Sequence, residues 1–223
     1  GTTMARSRKP KSRNRKDVGK YDEIRFPAII PTRKTGSERL RLGDDVFGDK
    51  SLIDFWRWSA SDLLSNATRG VFAEFLVASI LGIDVSGVRE EWAKFDLRTE
   101  AGLKIEVKSA AYLQSWDQYE YSSISFNVEA KYSFSDQGIM LPQAPERVAD
   151  VYILALLKHK IKHPKHDERA VEPMDVSQWC FYVLDRAYLD ERKRSQHSIS
   201  IVTLNELPYG PYDHIELKQR ILE

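Results

Sequence analysis

The chain has 223 residues, with 34 Lys and Arg against 33 Asp and Glu, 42% apolar residues and a single cysteine. That length fits one large domain or two small ones, and the apolar share is enough for a real core, which excludes global disorder. One thiol, Cys180, excludes an intramolecular disulfide framework and a multi-cysteine zinc site, and it fits a reducing compartment, for which the cytoplasm is the default.

No apolar run approaches the roughly 18–20 residues that a membrane span needs, and none follows the charged N-terminus as a signal peptide requires. A soluble protein without membrane contact is expected. The net charge of +1 hides an asymmetry. Residues 1–20 carry eight basic side chains (Arg6, Arg8, Lys9, Lys11, Arg13, Arg15, Lys16, Lys20) against Asp17, a net +7, whereas positions 21–223 carry 26 basic and 32 acidic residues, a net −6. The first stretch has almost nothing to bury and reads as a flexible basic arm, with a single domain over 21–223.

Residues 21–50 mix Pro27, Pro31, Gly36, Gly43 and Gly48 with short apolar pieces, and irregular structure is expected there. Ser51 caps a helical turn running to Trp58, and Ser61 or Asn66 caps the next helical stretch, so that two helices or one broken helix fit equally. Val71 to Leu81 is the clearest helix. It is apolar on every side, predicted to be buried, and ended by Gly82. Strand-like runs come next at Trp92 to Arg98, Leu103 to Ser109, Ser122 to Val128, Val151 to Leu157, Trp179 to Leu184 and Ser198 to Leu204, with helices expected at Gln143 to Ala149 and Arg186 to Arg194. Val151 to Leu157 is apolar on both faces, as a central strand is. His163 to Asp175 reads as a long surface loop. The order predicts an α/β fold, a mixed sheet flanked by helices.

Strand alternation puts Leu103, Ile105 and Val107 on one face and Lys104, Glu106 and Lys108 on the other. In the preceding run Lys94, Asp96 and Arg98 share a face. A hairpin through Thr99 to Gly102 brings Asp96 close to Glu106, so two carboxylates and Lys108 converge on a face expected to meet solvent. Mg²⁺ takes oxygen ligands, usually one or two carboxylates plus water and phosphate oxygens, which makes this grouping a candidate metal site. A lysine between two carboxylates is held in its charged form, so the expected role of Lys108 is to orient a water or stabilise charge, not to act as a base.

Asp96, then Glu106-Val107-Lys108 on the following strand, with Glu74 on the preceding helix, resembles the PD-(D/E)XK phosphodiesterase superfamily, the restriction-endonuclease-like nucleases. The similarity spans about Asn66 to Leu204, with its specific part confined to Glu74 through Lys108. It departs from the motif at Phe95, where a proline usually precedes the first acid. The resemblance implies a three-layer α/β/α core and Mg²⁺-dependent cleavage of DNA by a metal-activated water, with Mn²⁺ able to substitute. It implies metal ligation by Asp96, Glu106 and the Val107 backbone carbonyl, Lys108 as the catalytic lysine, and Glu74 as the helical carboxylate that supports the metal. It also implies a homodimer, since restriction-type cleavage of both strands usually uses two copies.

Each residue has a plainer reading. Asp96, Glu106 and Lys108 also fit a cross-strand salt bridge on a solvated face. Glu74, the only ionisable group between Val71 and Leu81, also fits a solvent stripe or a pair with Arg69 or Arg57. After the lysine come Ser109, Tyr112, Gln114, Trp116, Gln118 and Tyr119, of which Ser109 and Gln114 are candidate nucleic-acid contacts; inward packing explains the aromatic ones equally well. Lys158, Lys160, Lys162 and Lys165, interleaved with His159, His163 and His166, fit phosphate contact or a solvated loop. The basic arm fits salt-sensitive attraction to DNA or a solubility tail. A second functional reading is a nucleic-acid-binding module that keeps the fold without catalysis. Walker, dinucleotide and G-x-S-x-G motifs are absent from the sequence.

Overall fold

The structure is a computed structural model that describes residues 29–91, 93–132, 140, 143–161, 170–192 and 197–223. The chain divides into two compact units, 1–32 and 33–223. Of the first, only residues 29–32 are described, and they carry neither helix nor strand. The proposed basic arm, Trp92, Lys162, His163, Lys165, His166, Lys193 and Arg194 lie outside the described residues.

The second unit opens with a hairpin, β1 (Arg39–Leu42) and β2 (Asp45–Ser51), in place of the irregular structure expected there. Leu42 pairs with Asp45 across a two-residue turn whose first residue, Gly43, has φ 63°, the conformation that a two-residue hairpin turn asks of a glycine. Helix α1 (Leu52–Ala60) follows directly. Ser51 caps it as the spacing predicts, and Asp54 reaches back to the Ser51 N–H at 2.9 Å in a capping box. Helix α2 (Asn66–Leu81) is separate and capped by Ser65 rather than by Ser61 or Asn66; its end at Gly82 has φ 71°, as the sequence indicates. It is not buried all round. Ala73, Leu76, Val77 and Leu81 face the core, whereas Val71 and Phe75 are about half exposed.

The main sheet has the order β3 (Leu97–Arg98), β4 (Lys104–Ala111), β6 (Val151–Leu157) and β7 (Trp179–Asp185). β3 is antiparallel to β4, β4 is parallel to β6, and β6 is antiparallel to β7, so the sheet is mixed. All seven residues of β6 are buried, as a strand apolar on both faces must be. On one face Ile105, Val107, Ile153, Ala155, Phe181 and Val183 pack against α2 and against Leu217 of α5 (His214–Leu222), a helix that the sequence pattern does not announce. On the other face Tyr152, Leu154, Leu156, Tyr182 and Leu184 pack beneath a two-stranded ribbon, β5 (Ser125–Asn127) with β8 (Ser198–Ser200), together with Leu189 of α3 (Arg186–Glu191) and Leu204 of α4 (Ile201–Asn205). The fold is a mixed α/β layer structure, with helices on both faces of the sheet.

The expected strand Ser122 to Val128 shortens to β5, and three further expected elements differ. Strand Trp92 to Arg98 shrinks to Leu97–Arg98, although one further bond, from Asp96 N–H to the Ile105 carbonyl at 3.0 Å, carries the pairing one residue back. Gln143 to Ala149 is not a helix: Pro145 disfavours helical backbone before it, and Glu146 instead pairs as an isolated bridge with Lys131. Ser198 to Leu204 starts as a strand and turns into α4 at Ile201, because the Ser200 hydroxyl accepts the Thr203 N–H at 3.2 Å and caps a helix there.

Candidate active site

The hairpin from β3 through Thr99 to Gly102 into β4 is held by Thr99 N–H to the Leu103 carbonyl and Gly102 N–H to the Thr99 carbonyl. Its antiparallel register, Leu97 opposite Ile105, sets Asp96 beside Glu106. The Asp96 carboxylate accepts the Val107 N–H at 2.7 Å. A strand residue presents its N–H and C=O to the same edge, so the Val107 carbonyl faces the side on which Asp96 stands.

Glu106 lies on the sheet face opposite Ile105 and Val107, and its neighbour across the parallel ladder is Tyr152. It does not face solvent as expected: its side chain is 3% exposed. Two ammonium groups compensate this burial, Lys108 at 2.6 Å and Lys131 at 2.5 Å, both on the same oxygen, Oε1. Burial and then the charge of Glu106 push the carboxyl of Asp96 up to about 6, with Glu74 adding to the rise and the Val107 N–H and Lys108 opposing it. Burial works against the charge of Lys131, yet the hydrogen bond and field of Glu106 carry its pKa above the ordinary lysine value. Burial, followed by Glu106, pushes the Tyr152 hydroxyl up to about 12.

Glu74 stands on α2 with its side chain 12% exposed, and Arg89 grips it in a fork, Nε to Oε2 at 2.6 Å and Nη2 to Oε1 at 2.7 Å. The partner is neither Arg69 nor Arg57. Arg69 is buried and donates to the Leu64 carbonyl, to Asn66 and to Gln114. The pKa of Arg89 is raised, first by its bond to Glu74 and further by the fields of Glu74, Asp96 and Glu91. Glu74, Arg89, Asp96, Glu106, Lys108 and Lys131 therefore form one field of alternating charge. Sequence reasoning misses Arg89 and Lys131. Neither sits in a periodic run, and Lys131 is 25 positions from Glu106, so no local pattern marks it.

Ser109 is partly buried on β4 just beyond the site. The Gln114 side chain braces its own loop, accepting from Arg69 at 3.1 Å and donating to the Ala111 carbonyl at 2.9 Å and to Ser122 at 3.2 Å. Lys158 is exposed, and Lys160 holds its ammonium 3.9 Å from the centre of the Tyr112 ring and 5.1 Å from that of Tyr121. Trp116 and Tyr119 are exposed on the same loop.

The groups that could hold a divalent ion are Asp96, Glu106 and the edge that bears the Val107 carbonyl. Among the described residues no three His, Cys, Asp or Glu side chains gather as a ready cage. The Asp96 carboxyl, whose proton affinity burial and the neighbouring Glu106 charge raise, nevertheless fits Mg²⁺ together with Glu106, since that ion usually takes one or two protein carboxylates and fills its shell with water and phosphate oxygens. Glu74 is held by Arg89, and its charge adds to the rise in the proton affinity of Asp96.

A mixed α/β fold with paired acids and lysines at the edge of its sheet has the equipment of a phosphodiester-cleaving enzyme. Residues 50–202, more than half of the chain, match the family model described as bacteriophage T4 endonuclease IV, and the chain belongs to that family. It is a DNA endonuclease in that general sense. The matched segment contains Glu74, Arg89, Asp96, Glu106, Lys108 and Lys131, and it leaves out most of the β1–β2 hairpin and all of α5. No individual curated protein matches the chain. Among the described residues, no helix is long and apolar enough to cross a membrane.

Proposed function

We propose that this endonuclease is Mg²⁺-dependent, with Mn²⁺ as a substitute, and that it hydrolyses DNA phosphodiester bonds at the Asp96–Glu106 edge of a restriction-endonuclease-like core. The observation that carries the reading is the pairing of Asp96 with the nearly buried Glu106 across the β3–β4 register, where burial and then the Glu106 charge push the Asp96 carboxyl up to about 6. A bound divalent ion supplies Lewis acidity and an activated water at such a site. Asp96 and Glu106 hold it, with the Val107 carbonyl on the same edge. Lys108, tethered to Glu106, orients the attacking water and offsets charge on the phosphorus oxygens. Arg89 fixes Glu74, whose negative field reinforces cation binding at Asp96. Lys158 and the basic residues of positions 1–20 supply phosphate attraction away from the chemistry. The active form is a homodimer, acting in a reducing compartment that suits the free Cys180.

Cleavage assays with Mg²⁺ or Mn²⁺ on linear, plasmid and branched DNA test it. Wild type cuts; Glu106→Ala loses at least about a hundredfold in rate, the scale of losing one preorganised charge-stabilising group. Lys108→Met loses cleavage while retaining metal binding. Uncut DNA in every assay with salt-dependent DNA binding retained favours the binding module, and Glu106→Ala cutting as well as wild type removes the site from the chemistry.

A further inference from the structure

We propose that Lys131 is the exchangeable counter-ion of this site: it neutralises Glu106 while no divalent ion is bound, then leaves that oxygen and turns to the scissile phosphate when one binds. This rests on the metal-dependent reading above. Asp96 and Glu106 bring two negative charges, and Lys108 and Lys131 bring two positive ones. Both ammonium groups sit on Glu106 Oε1, where they repel one another while that carboxylate holds them. The entry of a divalent cation makes one ammonium surplus.

Exposure decides which one leaves. Lys108 is rooted in β4 two residues from Glu106, with its side chain 26% exposed, whereas that of Lys131 is 58% exposed. Lys131 also arrives from a separate segment whose backbone is pinned to Glu146 by two hydrogen bonds, of 3.1 and 2.9 Å, so its side chain can swing outward while its root stays fixed. An ammonium leaving a carboxylate at the mouth of a metal site finds its next partner in a phosphate oxygen. The same residue thereby preserves the buried acid in the resting protein and adds a phosphate ligand in the working one.

Calorimetric Mn²⁺ titration of the metal-free full chain, paired with single-turnover DNA cleavage, tests this. Lys131→Ala is expected to bind Mn²⁺ on the order of tenfold more tightly, because the competing cation and its repulsion of the metal are gone. With saturating Mn²⁺ its cleavage step slows on the order of a hundredfold. Lys131→Arg returns Mn²⁺ affinity toward wild type and rescues part of the rate, and Lys131→Met, which keeps most of the apolar stem, replaces the alanine variant if that one does not fold. A purely structural lysine would weaken metal binding and cleavage together. Wild type that binds Mn²⁺ while Lys131→Ala binds it no more tightly overturns the counter-ion role and leaves the metal reading standing. Tighter Mn²⁺ binding with an unchanged rate overturns the phosphate role. Wild type that neither binds Mn²⁺ nor cuts DNA overturns the metal reading itself, and this role with it.

Discussion

A carboxyl group whose pKa rises from 3.8 unfolded to about 6 folded costs the protein free energy at neutral pH, and Asp96 is such a group. The folded state binds the extra proton. The contribution of Asp96 to stability is therefore fully present below about pH 4, is lost as pH climbs through 6, and stays lost above. Two pKa units correspond to at most about 3 kcal/mol. Asp96→Asn keeps an oxygen for the Val107 N–H and removes the charge, so the metal-free variant is expected to be more stable than wild type by about 1–3 kcal/mol at pH 8, with the gain vanishing near pH 4. Thermal melts across that range check it; a variant less stable at pH 8 would mean that Lys108, Lys131 and Arg89 need this charge more than Glu106 resents it. The proximity of Asp96 and Glu106 is legible in the sequence, because a short turn at Gly102 between two alternating runs fixes which residues meet. Lys131 and Arg89 are not legible, since their places depend on chain crossovers that no local pattern encodes.

Elements whose signals are local match their expected ranges, and those with competing signals do not. β6 spans its expected residues because seven consecutive apolar side chains have one stable location, the middle of the sheet. α4 reads as strand in the sequence because Ile201, Val202 and Thr203 are β-branched, and the Ser200 cap overrides that preference. The stop signal of α2 is legible in Gly82, and it carries a prediction. At φ 71° an alanine is strained even though open space surrounds the position. Gly82→Ala should destabilise by about 1 kcal/mol, and Gly82→Asn by less, because asparagine tolerates the left-handed conformation better. Because α2 carries Glu74 from the same helix that packs on β4, chemical denaturation should detect this destabilisation while the cleavage rate measured well below the transition stays unchanged. A rate that falls with stability intact would show that the end of α2 also sets the position of Glu74.

At the scale of the molecule, the charge division seen in the sequence acquires a physical purpose. Positions 21–223 carry a net −6, and that part includes Asp96, Glu106 and Glu74, whose combined field is strong enough to reach across to Arg89 and Lys131. A body of net −6 repels a polyanion over long range, even though Arg89, Lys108 and Lys131 offset the carboxylates locally. The net +7 of residues 1–20 is the attraction proposed above, and it lies wholly outside the segment that defines the family, residues 50–202. Catalysis and capture are then separable: a chain beginning at Tyr21 should retain cleavage at saturating DNA but bind weakly at low salt. Each phosphate that is no longer neutralised lowers the slope of log affinity against log salt by about 0.9 on duplex DNA. With eight basic side chains removed, a fall of several in that slope is expected, read by fluorescence anisotropy across a salt series. An unchanged slope would assign capture to the folded part instead, with Lys158 and the exposed loop bearing Trp116 and Tyr119 as the surface to mutate next.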